Sequence, residues 1–226
     1  MSTIIVRKLT NESLMRRANS FTTGKDSRMS LEAAYRHGHS PIRTQLFWVE
    51  LTDIPLFVAS QLVRSHVGIQ YFQRSKRPDR GGEDFKAVCE DIYEVIDDIL
   101  HGDNDYPHDA LDKEAERVKE LPKHFDRFAP TDLAFICNAE ALINMSHKRL
   151  CKKASKETRE IFQGIADEIE HYDPALYAHL VPQCIYRGGI CPEPKCCGWI
   201  TTTEASVAYS AYLKLFIQHS KPTEIK

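Results

Sequence analysis

"TQLFWVELTDIPLFVASQLVRSHVGIQYFQRSKRPDRGG", residues 44–82, passes from an apolar run through a helical pattern into a charged loop. Its first part, "TQLFWVELT", is rich in β-branched and aromatic residues and predicts a well-buried strand. Pro55 suits the first turn of the helix that follows. In "IPLFVASQLVRSH", Leu56, Ala59 and Val63 stand on one side, while Gln61 and Arg64 leave the other. The chain then gathers Arg64, His66, Arg74, Lys76, Arg77 and Arg80 before it breaks on Pro78 and on Gly81 and Gly82. Guanidinium groups near a helix end suit phosphates and carboxylates, because arginine makes paired, charge-assisted hydrogen bonds to planar oxyanions. The competing reading is a solvated basic loop.

Working outward, "TIIVRKL" predicts a first strand, and "SLEAAYRHG" a short helix capped by Ser30 and ended by Gly38. Beyond the basic loop, "EDFKAVCEDIYEVIDDIL" repeats Phe85, Val88, Ile92, Val95, Ile96 and Ile99 at helical spacing, its acids forming a solvated face. "HGDNDYPHD" is a loop. A second apolar pattern starts at Thr131 or Asp132 and keeps a period of about 3.6 residues almost to Pro174. It predicts a long helix with a break near Ser155, since forty residues is long for one globular helix. On such a helix Asn138 and Arg149 lie about three turns apart and share a face, with Asn144 roughly a third of the circle away. Polar residues placed so either serve a ligand or form an outer face. "GGICPEPKCCG" reads as an irregular loop, and "ASVAYSAYLKLFIQH" as helix or strand.

The 226 residues carry a net charge of −2, with 42% hydrophobic and 27% charged residues, which fits one soluble domain over 1–226. That balance gives no bulk attraction to nucleic acid or to an anionic membrane. A single-stranded nucleic-acid reading, with Tyr71 and Phe72 as stacking groups, would need a basic groove that the acidic balance does not favour. No signal peptide or membrane span is expected, which predicts a cytoplasmic protein. The seven cysteines are an odd number, with Cys89, Cys137 and Cys151 inside helical patterns, and free thiols are the expectation. Cys184, Cys191, Cys196 and Cys197 are spaced poorly for structural zinc, so no metal is expected. The chain has no H-E-x-x-H, no G-x-S-x-G and no phosphate-binding glycine loop.

Four ordered stretches resemble the flavin-dependent thymidylate synthases. "PLFVASQLVRSH" followed by eight residues and Ser75 is similar to that family's signature of Arg-His-Arg, seven or eight residues, then serine. "HGHSP" precedes the buried strand as it does in the family. "TDLAFICNAEALINMSHKRLCKKASKETREI" resembles its long helix with two Asn and an Arg facing the ligands. "CIYRGGICPEPKCCG" resembles the cysteine-containing tail of some members. The resemblance spans about residues 17–198.

It implies an α+β fold with a central, mostly antiparallel sheet and long helices, and methylation of C5 of deoxyuridine monophosphate. The implied donors are methylenetetrahydrofolate for the carbon and reduced FAD for the hydride, with NADPH reducing the flavin. Gln61, Ser75, Arg77 and Arg149 would face the substrate, with Arg149 stabilising charge on the pyrimidine. Ser40, Arg64, His66, Asn138 and Asn144 would face the flavin, and Arg127 is the nearest candidate for a further substrate arginine. A homotetramer with shared active sites is implied as well. Alternatives are hydroxymethylation of a pyrimidine deoxynucleotide and a non-catalytic nucleotide-binding relative. Arg64-Ser65-His66 stands where the family has Arg-His-Arg, and "QYFQ" replaces acidic and amide residues. Glu140 replaces an arginine and Arg43 an acidic residue, two changes of sign expected to compensate each other.

Overall fold

The computed structural model describes residues 2–75 and 129–217, together with Tyr93, Asp97 and Arg127. The helix and loop expected over residues 83–109 lie outside them, apart from Tyr93 and Asp97, as do Cys89 and Arg77. Strands β1 (Thr3–Lys8), β2 (Leu46–Pro55), β3 (Ile69–Gln73) and β4 (Pro130–Asn138) form one antiparallel sheet in the order β1-β2-β4-β3. Register aligns the buried residues: Phe47 faces Cys137, Val49 faces Phe135 and Leu51 faces Leu133, with Val6 beside Val49 on the outer side. Fully burying side chains of this size contributes about 1.5–3 kcal/mol each. A bulge between Leu51 and Ile54 turns Asp53 to a φ of 58°, and its N–H donates to Asp132 Oδ1 at 3.0 Å.

Helices cover the buried face of the sheet. They are α1 (Glu12–Thr23), α2 (Leu31–His37), α3 (Leu56–Leu62), α4 (Ala139–Arg149), α5 (Lys156–Tyr172), α6 (Pro174–Tyr177), α7 (Gln183–Tyr186) and α8 (Thr203–Ile217). The seventeen-residue α5 lays Ile161, Phe162, Ile165 and Ile169 against β1 and the core. Ser30 and Gly38 bound α2 as expected: the Ser30 hydroxyl accepts from Ala33 N–H, and Gly38 takes a φ of 64°. At the seam of β1, α2 and α6, the buried Asp173 carboxylate accepts from Lys8 Nζ at 2.6 Å, from Tyr35 Oη at 2.7 Å and from Leu176 N–H at 3.0 Å. Burial and the Asp173 charge together push the Tyr35 hydroxyl pKa upward.

The long helix expected from Thr131 is corrected by the structure. Residues 130–138 are strand β4, with Thr131, Leu133, Phe135 and Cys137 buried in strict alternation. Asn138 ends that strand and caps α4, its side chain accepting from Ala141 N–H. Cys137 therefore lies in a strand. The expected break is present, since α5 starts after Ser155, whose Oγ accepts from Thr158 N–H. Helix α3 stops at Leu62, so Arg64 and His66 stand in the turn that leads to the short strand β3. The tail resolves as helix α8.

Candidate active site

Gln61 and Arg64 leave the end of α3 and meet Arg149, the last residue of α4, in a cavity of about 350 Å³. Its rim is basic, carrying Lys148, Lys152 and Lys153, and the loop containing Cys191, Cys196 and Cys197 closes it. Arg149 Nη2 donates to the backbone carbonyl of Gln61, while its buried Nε has no hydrogen-bond partner. Burial holds the guanidinium pKa below the ordinary arginine value; Tyr71 opposes that shift and Arg64 adds to it. Arginine nevertheless stays charged at physiological pH. An orphaned donor on a half-buried cation is costly unless a ligand accepts from it.

The Gln61 side chain is held from behind. Ser155 Oγ accepts from Thr158 N–H and donates to Thr158 Oγ1 at 2.8 Å; Thr158 Oγ1 in turn donates to Gln61 Oε1 at 3.0 Å. The chain of donors has one consistent direction, and it leaves the Gln61 NH₂ group to donate elsewhere. Reading for ligands alone misses Thr158. The signal for it was the Ser155-x-x-Thr158 spacing that opens α5.

A second cavity of about 450 Å³ adjoins the first through His147. Asn144 and Glu140 line it, with an aromatic wall of Tyr35, Tyr186, Tyr209, Tyr212 and Phe216. Tyr212 and Phe216 pack edge to face at 5.3 Å, and Arg36 Nη1 donates to the Leu215 carbonyl at 3.3 Å, tying α8 over the opening. Burial lowers the His147 pKa to about 4, helped by Arg187, and that of His179 to about 4, helped by Arg36. Both imidazoles are therefore neutral at pH 7, and His147 Nε2 is buried with no protein partner.

The structure thus gathers Gln61, Arg64 and Arg149 and sets Asn144 in the neighbouring cavity. The helix face expected to be shared by Asn138 and Arg149 is not formed, since Asn138 stands before the first turn of α4. Asn138 spends its side chain on the α4 cap, beside Gly68, where a Cβ would lie 2.4 Å from its Nδ2. Ser40 is exposed at the start of a 3₁₀ turn (Ser40–Thr44) whose Pro41 and Ile42 are buried, His66 is exposed in the turn after α3, and Ser75 is half-buried after β3; none of the three lines either cavity. Arg127 stacks over the Phe57 ring, 4.4 Å from its centroid. Arg43 and Glu140, the two changes of sign, are in contact: Nε to Oε2 at 2.7 Å and Nη2 to Oε1 at 3.2 Å. Among the described residues, no three His, Cys, Asp or Glu side chains converge in a way that could hold a metal ion, and no helix is long and apolar enough to cross a membrane.

No curated protein matches the chain by sequence. Among solved structures, it is similar to thymidylate synthase X from Helicobacter pylori, determined with FAD and dUMP. The TM-score is 0.52 at 15% identity, over 80% of this chain and 99% of that one, which speaks for the fold. A family model, the thymidylate synthase complementing proteins, matches residues 5–175. With three-quarters of its length matched and the fold shared, this chain belongs to the Thy1 family of thymidylate synthase complementing proteins.

Proposed function

We propose that the chain methylates C5 of deoxyuridine monophosphate, using methylenetetrahydrofolate as carbon donor, FAD as cofactor and NADPH as reductant. The observation that carries this reading is the buried Arg149 Nε, unpartnered in a cavity shared with Gln61 and Arg64. An orphaned guanidinium donor beside a second arginine suits a nucleotide with a ring carbonyl and a phosphate. The aromatic wall around Asn144 suits a stacked isoalloxazine ring. The helicobacterial neighbour was solved with FAD and dUMP, which supports the same pair of ligands here.

In this reading Arg149 donates to a pyrimidine carbonyl and stabilises the negative charge that develops when C5 is alkylated. Gln61, its carbonyl end held by Thr158, presents its NH₂ to an acceptor on the same ring. Arg64 stands against the flavin, offsets its negative charge and orients it beside the substrate. Ser75 and Arg77 extend the substrate site from the loop, Arg77 lying outside the described residues. Asn144, Ser40, His66 and Asn138 serve the flavin. FAD, when bound, supplies the hydride that converts the transferred methylene to methyl. Only Gln61, Arg64, Arg149 and Asn144 line the two cavities, while Ser40, His66, Ser75 and Asn138 stand outside them, which favours a homotetramer that completes its sites across subunits, working in the cytoplasm.

The test is the absorption spectrum of the purified protein, followed by titration with FAD. Flavin that binds, and that NADPH bleaches once deoxyuridine monophosphate is present, is the expected result. A colourless protein that takes up no FAD even with the nucleotide would refute the flavin reading.

A further inference from the structure

We propose that Cys191 and Cys196 are a redox-modification site, a dithiol in the wall of the Arg149 cavity that small-molecule disulfides oxidise to an intraloop disulfide. Five cysteines line this cavity: Cys151 in the bend after α4, Cys184 on α7, and Cys191, Cys196 and Cys197 on the closing loop. All five are free thiols. Cys191, Cys196 and Cys197 cluster on the one closing loop and influence one another electrostatically, Cys191 and Cys196 most strongly. Cys196 is exposed, and its sulfur accepts from the Gly198 backbone N–H at 3.4 Å. Two prolines, Pro192 and Pro194, stiffen the segment between the paired cysteines and reduce the entropy lost on closing the ring. Lys153 reaches into the same loop through its 3.3 Å ion pair with Glu193.

These surroundings set the order of events. The Gly198 N–H, the Cys191 thiol and the Lys153 charge lower the Cys196 pKa, so Cys196 is the thiolate that attacks. Attack on a low-molecular-weight disulfide, such as oxidised glutathione, forms a mixed disulfide on Cys196 and expels one thiolate. The Cys191 thiol loses its proton to solvent and attacks Cys196 Sγ, forming the internal bond and expelling the second thiolate. Two electrons pass from the protein to the reagent, which leaves as two thiols. Lys152 and Lys153 are paired with Glu204 and Glu193, and the remaining cations of the lining, Arg64, Lys148 and Arg149, leave the cavity net basic and attractive to anionic disulfides of this class. The proposal does not depend on the flavin reading, because thiol exchange needs neither FAD nor nucleotide.

The experiment exposes the full-length folded chain to oxidised glutathione, quenches by alkylation and maps the cysteines by peptide mass spectrometry. The expected product is an internal Cys191–Cys196 disulfide that dithiothreitol reverses. C191S should stop at glutathione on Cys196, and C196S should lose at least about tenfold in the rate of thiol consumption. Oxidation that first joins another pair of the five, or that proceeds equally fast in C196S, overturns the proposal. So do thiols that react only after a chelator is added, since they would be metal ligands.

Discussion

Replacing Gly68 by alanine should destabilise the fold through Asn138, and the route can be measured. Gly68 has a φ of 74°, a left-handed conformation that costs an L-residue about 1–2 kcal/mol. The added Cβ would also stand 2.4 Å from Asn138 Nδ2 and 2.9 Å from its Cγ. That amide cannot simply swing aside, because its Oδ1 accepts from Ala141 N–H at 2.9 Å and caps α4. Displacing it forfeits a cap worth about 1 kcal/mol. The two contributions give a loss of about 2–3 kcal/mol, or about 4–12 °C in Tm for a chain of this size. Thermal unfolding followed by circular dichroism reads the value, and a double-mutant cycle reads the mechanism. Asn138→Ala alone should cost about 1 kcal/mol. Added to Gly68→Ala it should cost almost nothing further, because the cap is already lost and the clash is removed. Full additivity of the two substitutions would refute the reasoning.

Thr158→Val removes the hydroxyl that fixes Gln61 and should weaken binding of deoxyuridine monophosphate about fivefold by calorimetric titration, with Thr158→Ser restoring it; unchanged affinity in the valine variant would separate Thr158 from the ligand. Reversing the Arg43–Glu140 pair tests the compensation of charge. Arg43→Glu and Glu140→Arg should each weaken FAD uptake in a fluorescence titration, and the double variant should recover it, whereas a double variant no better than the singles would dismiss the pair.

Strand β2 and helix α2 were legible because their signals are local: β-branched and aromatic residues in one, Ser30 and Gly38 at the ends of the other. Strand β4 was hidden by its surroundings. Ala134 and Ile136 put apolar residues on its second face, which blurs the alternation of Leu133, Phe135 and Cys137. Asn138 then ends the strand and caps α4 with no glycine or proline between, so strand and helix ran together in the sequence. Helix α1 gave little signal because it buries only Met15. The charge pair of Arg43 and Glu140 was readable from two departures of opposite sign. The angle between Asn144 and Arg149 was readable as well, but the separate cavity around Asn144 was not, since it depends on α8 folding back over that residue. That covering helix lies beyond residue 175, where the family match ends.

The Lys8–Asp173 pair joins residues 165 positions apart, which makes it a matter of timing as well as of energy. A ribosome adding about 5–20 residues per second leaves about 8–30 s between the emergence of Lys8 and that of Asp173. Through that interval the first strand has its cation but no anchor. Strand β2 likewise waits for β4, its central partner, from a segment about 80 residues downstream. The nascent chain thus exposes an apolar strand edge while it grows, and contacts of such long sequence separation make folding slow. Asp173 is a late latch: until it and the α5 helix just before it are made, the N-terminal strand is held by pairing with β2.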